Sequence, residues 1–262
     1  MPLYDAIRDL PLAIESYELR LLRSDDDGDG RTTTAILLAG GGEEGVGEDV
    51  VYEPEEHHAH LEMPRLPLAG TWTLHTFSSY LGTLNLFPAE PGWEASRDFR
   101  RWAFESAALD LALRQAGTNL ADVLGRTASP VRFVHSRRLG DPPDPSILLD
   151  LAARIPGLGF KLDPEPGWDD SVIAALAATG RVRTLDLKGH YVGSIVDPGA
   201  DAELYGRVIE AFPDAWVEDP RETDETAAIL AGCRERVSWD APLHRLSDIT
   251  DLADVPTAVN VK

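Results

Sequence analysis

The stretch RTLDLKG, residues 183–189, reads as a short apolar strand that ends on polar side chains, with a glycine to turn the chain. The same form recurs from residue 130 onward. VRFVHS and LGFKLD precede it, and AWVEDP, RVSWDA and TAVNVK follow. Between them lie helical stretches such as PSILLDLAARI, WDDSVIAALAATG and DAELYGRVIEAF. Short apolar strands alternating with helices indicate parallel βα units, with helices covering the sheet. Six such units are readable, fewer than a closed (β/α) barrel takes, and in such barrels the reactive side chains sit at C-terminal strand ends.

Those ends carry a specific set. The second strand ends in Lys161 and Asp163, the third in Asp186 and Lys188, and the fourth in Glu218 and Asp219. The fifth ends in Asp240 and the sixth in Lys262. The steps from Asp186 to Glu218, Asp240 and Lys262 are 32, 22 and 22 residues, each the length of one βα unit. Carboxylates on neighbouring parallel strands converge, and like-charge repulsion raises their pKa values. A divalent cation resolves that conflict, and hard oxygen donors suit Mg2+. A lysine beside such a cation is driven toward its neutral form and becomes a base. Each residue alone also has a plainer reading. An acid after a strand caps the next helix or opens a turn, and a strand-end lysine reaches for solvent.

The first half of the chain has another rhythm. AIESYELRLLR, TTTAILLAG and GVGEDVVYE read as a three-stranded meander joined by Gly/Asp turns. Residues 72–85 and 97–116 read as helices, the second with Phe99, Trp102, Leu109 and Leu113 at helical spacing, and NLADVLG as a short one. The glycine run GGGEEGVG is acidic and leads into a strand, whereas a phosphate cradle needs the N–H groups of a helix start.

Composition bounds the function. A 43% hydrophobic content and 26% charge describe a folded globular chain. The net charge of −21 argues against nucleic-acid binding, which requires a basic surface. One cysteine, Cys233, excludes an internal disulfide, and neither a signal peptide nor a membrane-spanning stretch is readable. The expectation is a soluble cytoplasmic protein.

Taken in order, TLDLKG, WVEDP, SWDAPLHR and NVK resemble the enolase superfamily, closest to its muconate-lactonizing, o-succinylbenzoate synthase-like branch. GVGED at 45–49 resembles the Gly-x-Gly-Glu of that family's cap, and FESAALDLAL at 104–113 its Ala-rich helix. The resemblance implies an α/β protein: an N-terminal α+β capping domain over residues 1–127, then a modified (β/α) TIM-type barrel over 128–262, read to strand six. It implies Mg2+ held by Asp186, Glu218 and Asp240, with Lys262 as the base. The implied reaction is abstraction of a proton α to a carboxylate, giving a metal-stabilised enediolate that goes on to elimination or isomerisation. A lyase or isomerase acting on a small carboxylate follows, with an acid-sugar dehydratase or a non-catalytic enolase-like protein as alternatives.

The chain departs from the family pattern in three places. Lys161-Leu-Asp163 stands where the branch carries Lys-x-Lys, so the usual second base is missing and two-base epimerisation is disfavoured. Asp186-Leu-Lys188 stands where the family often has Asp-x-Asn; Lys188 either replaces the missing lysine or is a turn residue before Gly189. The sequence stops before strands seven and eight, and the expectation is a fragment of a longer enzyme, whose unpaired sheet edges also invite a homo-oligomer. Lys161, Lys188 and Lys262 are therefore the catalytic candidates. Arg138, His57 and Asp163 are the substrate-binding ones, with the loops at 24–32 and 53–63 choosing the substrate. His57, His58 and His60 match no standard metal spacing and also read as a solvated loop.

Overall fold

The computed structural model describes residues 3–24, 31–194, 197–250, 252 and 256–261. The chain divides into two compact units, Met1–Ser129 and Pro130–Val261.

The first unit begins with helix α1 (Leu3–Ile7) and strands β1 (Pro11–Ile14), β2 (Ser16–Arg23), β3 (Thr32–Gly40) and β4 (Glu43–Asp49). Helix α2 (Pro54–Glu62), strand β5 (Gly70–Thr73), and helices α3 (Leu74–Leu81), α4 (Ser96–Gln115) and α5 (Leu120–Val123) complete it. The expected meander is present as the antiparallel order β2-β3-β4. AIESYELRLLR, however, is two strands: β1 leaves to pair with β5, and β2 pairs with β3. The helix expected from residue 72 starts at Leu74, because Thr73 and Thr76 form a reciprocal capping box that ends β5 and opens α3.

Glycine and alanine set the spacing of this unit. A Cβ on Gly47 would lie 2.0 Å from the Ala103 carbonyl oxygen, and one on Gly45 would lie 2.3 Å from that of Ala107. The Gly-x-Gly of β4 thus lets the small-residue face of α4 lie directly on the strand, and Ala103, Ala107 and Leu111 are buried there.

Buried charge is handled once in this core. Asp49 and Arg100 are both inaccessible, and Arg100 Nε donates to Asp49 Oδ2 at 2.7 Å. The rest of the guanidinium donates to the carbonyls of Leu86 and Glu56, at 2.9 and 3.0 Å. The pair thereby ties β4, α2 and α4 together. The loop reading of residues 53–63 is corrected here: Pro54–Glu62 form α2, with His57 and His60 buried and His58 exposed. His57 has Thr34 Oγ1 at 2.9 Å from Nδ1 and the Val51 carbonyl at 3.1 Å from Nε2, so neither ring nitrogen is presented to a ligand. Burial holds the His60 pKa below the usual histidine range despite Asp49 beside it.

The second unit repeats strand and helix: β6 (Val134–Arg137), α6 (Ser146–Arg154), β7 (Gly159–Leu162), α7 (Asp170–Thr179), β8 (Val182–Asp186) and α8 (Ala202–Ala211). Then follow β9 (Trp216–Glu218), α9 (Ala227–Ala231), β10 (Val237–Trp239), α10 (Leu246–Thr250) and β11 (Ala258–Val259). The six strands form one parallel sheet in sequential order, β6 to β11. Phe160, Leu162, Leu185 and Val217 of the strands pack with Leu148, Leu176, Leu204 and Val208 of the helices. Among the described residues no helix is long and apolar enough to cross a membrane.

Gly47→Ala should destabilise the protein by about 2 kcal/mol or more in urea denaturation, since the methyl meets backbone that cannot move aside cheaply. Arg100→Met should cost about 3–5 kcal/mol in the same measurement, because it leaves Asp49 buried without its cation.

Candidate active site at the strand ends

The helices that follow β7 and β8 take their caps from residues beyond the strand ends. Helix α7 is capped by Asp169, whose carboxylate accepts from the Ser171 and Val172 N–H groups. Asp201 caps α8 in the same way, accepting from Leu204 N–H. Asp163 and Asp186 are therefore not the caps of these helices. Parallel register then sets Asp186 beside Glu218 on β8 and β9, with Ser238 of β10 beside Glu218. Asp240 follows just past β10. All three acids are buried, Asp186 to 1% exposure, Glu218 to 6% and Asp240 to 9%.

Two lysines enter this cluster. Lys161 Nζ lies 3.1 Å from Asp186 Oδ2 and contacts Glu218 Oε1, bridging the two strands. Lys188 Nζ contacts Asp186 Oδ2 and lies 3.8 Å from Asp163 Oδ2. Arg138 Nε donates to Asp163 Oδ2 at 3.1 Å. Read across the strand ends, the order is Arg138, Asp163, Lys188, Asp186, Lys161, Glu218: a row of alternating charge.

Burial pushes the Glu218 carboxyl up to about 7, and the Asp186 and Asp240 charges add to that, so the Lys161 contact only partly offsets them. Burial opposes the charge on Lys161, but Asp186 and Glu218 outweigh it and raise the lysine's pKa. As placed, Lys161 is a fixed positive charge rather than a neutral base. Burial also raises Asp163, with Lys188 and Arg138 pulling the other way.

Backbone strain marks the same place. Lys188 and Asp219 both lie in the left-handed region, with φ of 52° and 47°, which non-glycine residues seldom adopt. At Lys188 this turns the side chain back onto its own strand end, where its N–H also donates to Asp186 Oδ1 at 3.2 Å. Gly189 N–H donates to the Asp219 carbonyl at 2.7 Å, a backbone approach that a Cβ on Gly189 would block. The Asp219 carboxylate in turn accepts from the N–H groups of Asp240 and Ala241, at 2.9 and 2.8 Å. Asp219 thus fixes the turn that carries Asp240. Its only sequence signal is the acid-acid-Pro run at 218–220, which reads equally as an ordinary turn.

Beside the row lies a cleft of about 280 Å³ lined by Arg138, Asp163, Glu165, Lys188, Asp197 and three prolines. Arg138, Asp163, Lys161, Lys188, Asp186 and Glu218 are brought together, and the carboxylate of Asp219 holds the backbone of Asp240 at the next strand end. His57 lies in the core of the other unit, and Lys262 is outside the described residues, as is most of the loop expected at 24–32.

The donor chemistry suits Mg2+: Asp186, Glu218 and Asp240 offer hard oxygens from adjacent strand ends. Around them, among the described residues, the carboxylates of Asp163, Asp186, Glu218 and Asp219 lie with the cations of Arg138, Lys188 and Lys161. As placed, no three His, Cys, Asp or Glu side chains among the described residues are grouped to hold a metal, and Lys161 stands between Asp186 and Glu218.

Residues 5–123 match the N-terminal domain, and residues 127–262 the C-terminal domain, of a family described as a domain of unknown function, DUF8230. The chain belongs to the DUF8230 family. No curated protein matches it in sequence. This DUF8230 chain is similar in structure to a mandelate racemase/muconate lactonizing enzyme from Roseiflexus sp., with a TM-score of 0.63 and 19% identity, over 92% of the chain and 70% of that enzyme. It is similar to a member of the enolase superfamily from Listeria innocua, with a TM-score of 0.59 and 16% identity, over 96% of the chain and 68% of that protein. It is also similar to an enolase from Bradyrhizobium complexed with magnesium and mandelic acid, with a TM-score of 0.58 and 19% identity, over 87% of the chain and 67% of that enzyme. At these identities the likeness is one of fold: an enolase-superfamily capping domain followed by part of a TIM-type barrel.

In chelator, stability should fall as pH rises from about 4.5 to about 7. Folded Glu218 holds its proton to the upper value and the unfolded carboxyl only to the lower one, so the contribution is full below 4.5 and lost above 7. Glu218→Gln should flatten that limb in denaturation curves taken across this range.

Proposed function

We propose that this DUF8230 chain abstracts the proton α to the carboxylate of a small substrate in a Mg2+-dependent reaction of the enolase type, with residues 1–127 as the capping domain and 128–262 as the barrel domain. The observation that carries the reading is the pair of buried carboxylates, Asp186 and Glu218, side by side in register with Lys161 and Lys188 on them. The Bradyrhizobium enolase of the same fold, complexed with magnesium and mandelic acid, supports the substrate class.

In this reading Asp186, Glu218 and Asp240 hold the metal, which when bound acts as a Lewis acid toward the substrate carboxylate. Asp219 keeps Asp240 in place through two backbone N–H groups. Arg138 and Lys188 line the adjacent cleft and orient the substrate's carboxylate, with Asp163 holding both cations. Lys161 adds positive charge where negative charge develops. Lys262 is the proposed base. Asp163 stands where a second lysine would serve the opposite face, so single-base elimination or cycloisomerisation of the muconate-lactonizing, o-succinylbenzoate synthase-like kind is favoured over epimerisation.

A second reading, an enolase-like protein without catalysis, draws on the pairing of the carboxylates with lysines. Proton NMR in D2O with a panel of small carboxylic acids, Mg2+ present, separates the two. We expect exchange of an α-proton by the wild type and at least about a hundredfold less by Lys262→Ala, the scale of a lost general base, with Mg2+ binding by calorimetry retained. Absence of both exchange and Mg2+ binding in the wild type would leave the non-catalytic reading standing.

A further inference from the structure

We infer that Lys161 and Lys188 are the resident counter-ions of the strand-end carboxylates, and that Lys161 must leave Asp186 and Glu218 before those two acids can take a divalent cation. The inference rests on the proposed metal site and concerns its regulation. Lys161 contacts both carboxylates at once, from the neighbouring strand. Two ammonium groups bring into the cluster the same charge as one divalent ion, and they do so from within the chain. The site is thereby neutralised in part without metal, and metal binding becomes an exchange of one cation for another.

The two lysines differ in what they lose. Lys188 contacts Asp186 but keeps Asp163, 3.8 Å away, as a second acceptor on its other side. It stays paired when Asp186 turns elsewhere. Lys161 has its two acid contacts in Asp186 and Glu218, and losing both frees a charged ammonium at the strand ends. An incoming carboxylate would meet that ammonium. Lys161 therefore weakens the metal in the absence of substrate and couples the two ligands: each binds more tightly once the other has arrived.

Calorimetric titration with Mg2+ of the full chain and of Lys161→Met and Lys188→Met tests this. We expect Lys161→Met to bind Mg2+ at least about tenfold more tightly than the wild type, a difference of about 1.4 kcal/mol, and Lys188→Met to change less. Thermal unfolding gives a second readout. Lys161→Met should melt lower than the wild type in chelator and gain more on adding Mg2+. A variant that folds only with Mg2+ also supports the exchange, since the ion then does the lysine's work. If Lys161→Met folds in neither condition, Lys161→Gln is judged by the same affinity criterion. Affinity equal to or weaker than the wild type overturns the inference, whatever the wild type's own affinity. Binding by Lys161→Met but not by the wild type upholds it while counting against a Mg2+-dependent reaction in the native chain.

Discussion

Two buried carboxylates in register on adjacent parallel strands cannot both stay ionised without a cation between them. Asp186 and Glu218 are in that position, and much of the second unit follows from it. The pleat sends Phe160 and Leu162 into the helix-covered core and Lys161 to the opposite face, where its ammonium reaches both acids. Lys188 contacts Asp186 from a left-handed backbone conformation, and the glycine after it lets the chain beyond β8 lie against the backbone of Asp219 and Arg221. The caps of α7 and α8 are supplied by Asp169 and Asp201 further along, so the strand-end acids are left to the charge row.

The two units solve the same electrostatic problem differently. In the first, Asp49 is neutralised by Arg100, whose two terminal nitrogens each donate to a backbone carbonyl. That pair is closed: both partners are inaccessible to solvent, and the pair holds β4, α2 and α4. In the second, Glu218 is pushed up to about 7 although Lys161 contacts it, and a cleft opens beside the row. A buried charge closed off in a core pair is structural; one whose pKa is pushed toward neutrality beside a cleft is a candidate for chemistry.

Much of the architecture was legible in the residues themselves. Repeated apolar strands with helices between them determine a parallel sheet, and the order β6 to β11 follows the sequence step by step. The meander β2-β3-β4 was legible from its alternation and its turns. The division of AIESYELRLLR between two partners was not, because β1 and β2 share one alternating pattern and differ only in which distant strand each meets. The histidines of α2 misled for a related reason. A polar run with little amphipathic contrast reads as solvated, yet His57 is buried because Thr34 and the Val51 carbonyl satisfy its ring nitrogens.

At the strand ends, residue type and spacing alone singled out Asp186, Glu218 and Asp240 at one-unit intervals, with Lys161 and Lys188 near them. Periodicity is a local property, and it carries that much. Which lysine lies on which carboxylate, the positive φ of Lys188 and Asp219, and the grip of Asp219 on the turn that carries Asp240 were decided only by the tertiary structure. These depend on the stagger between strands and on burial. Both come from packing the sheet against its helices, and neither is written in any short stretch of the chain.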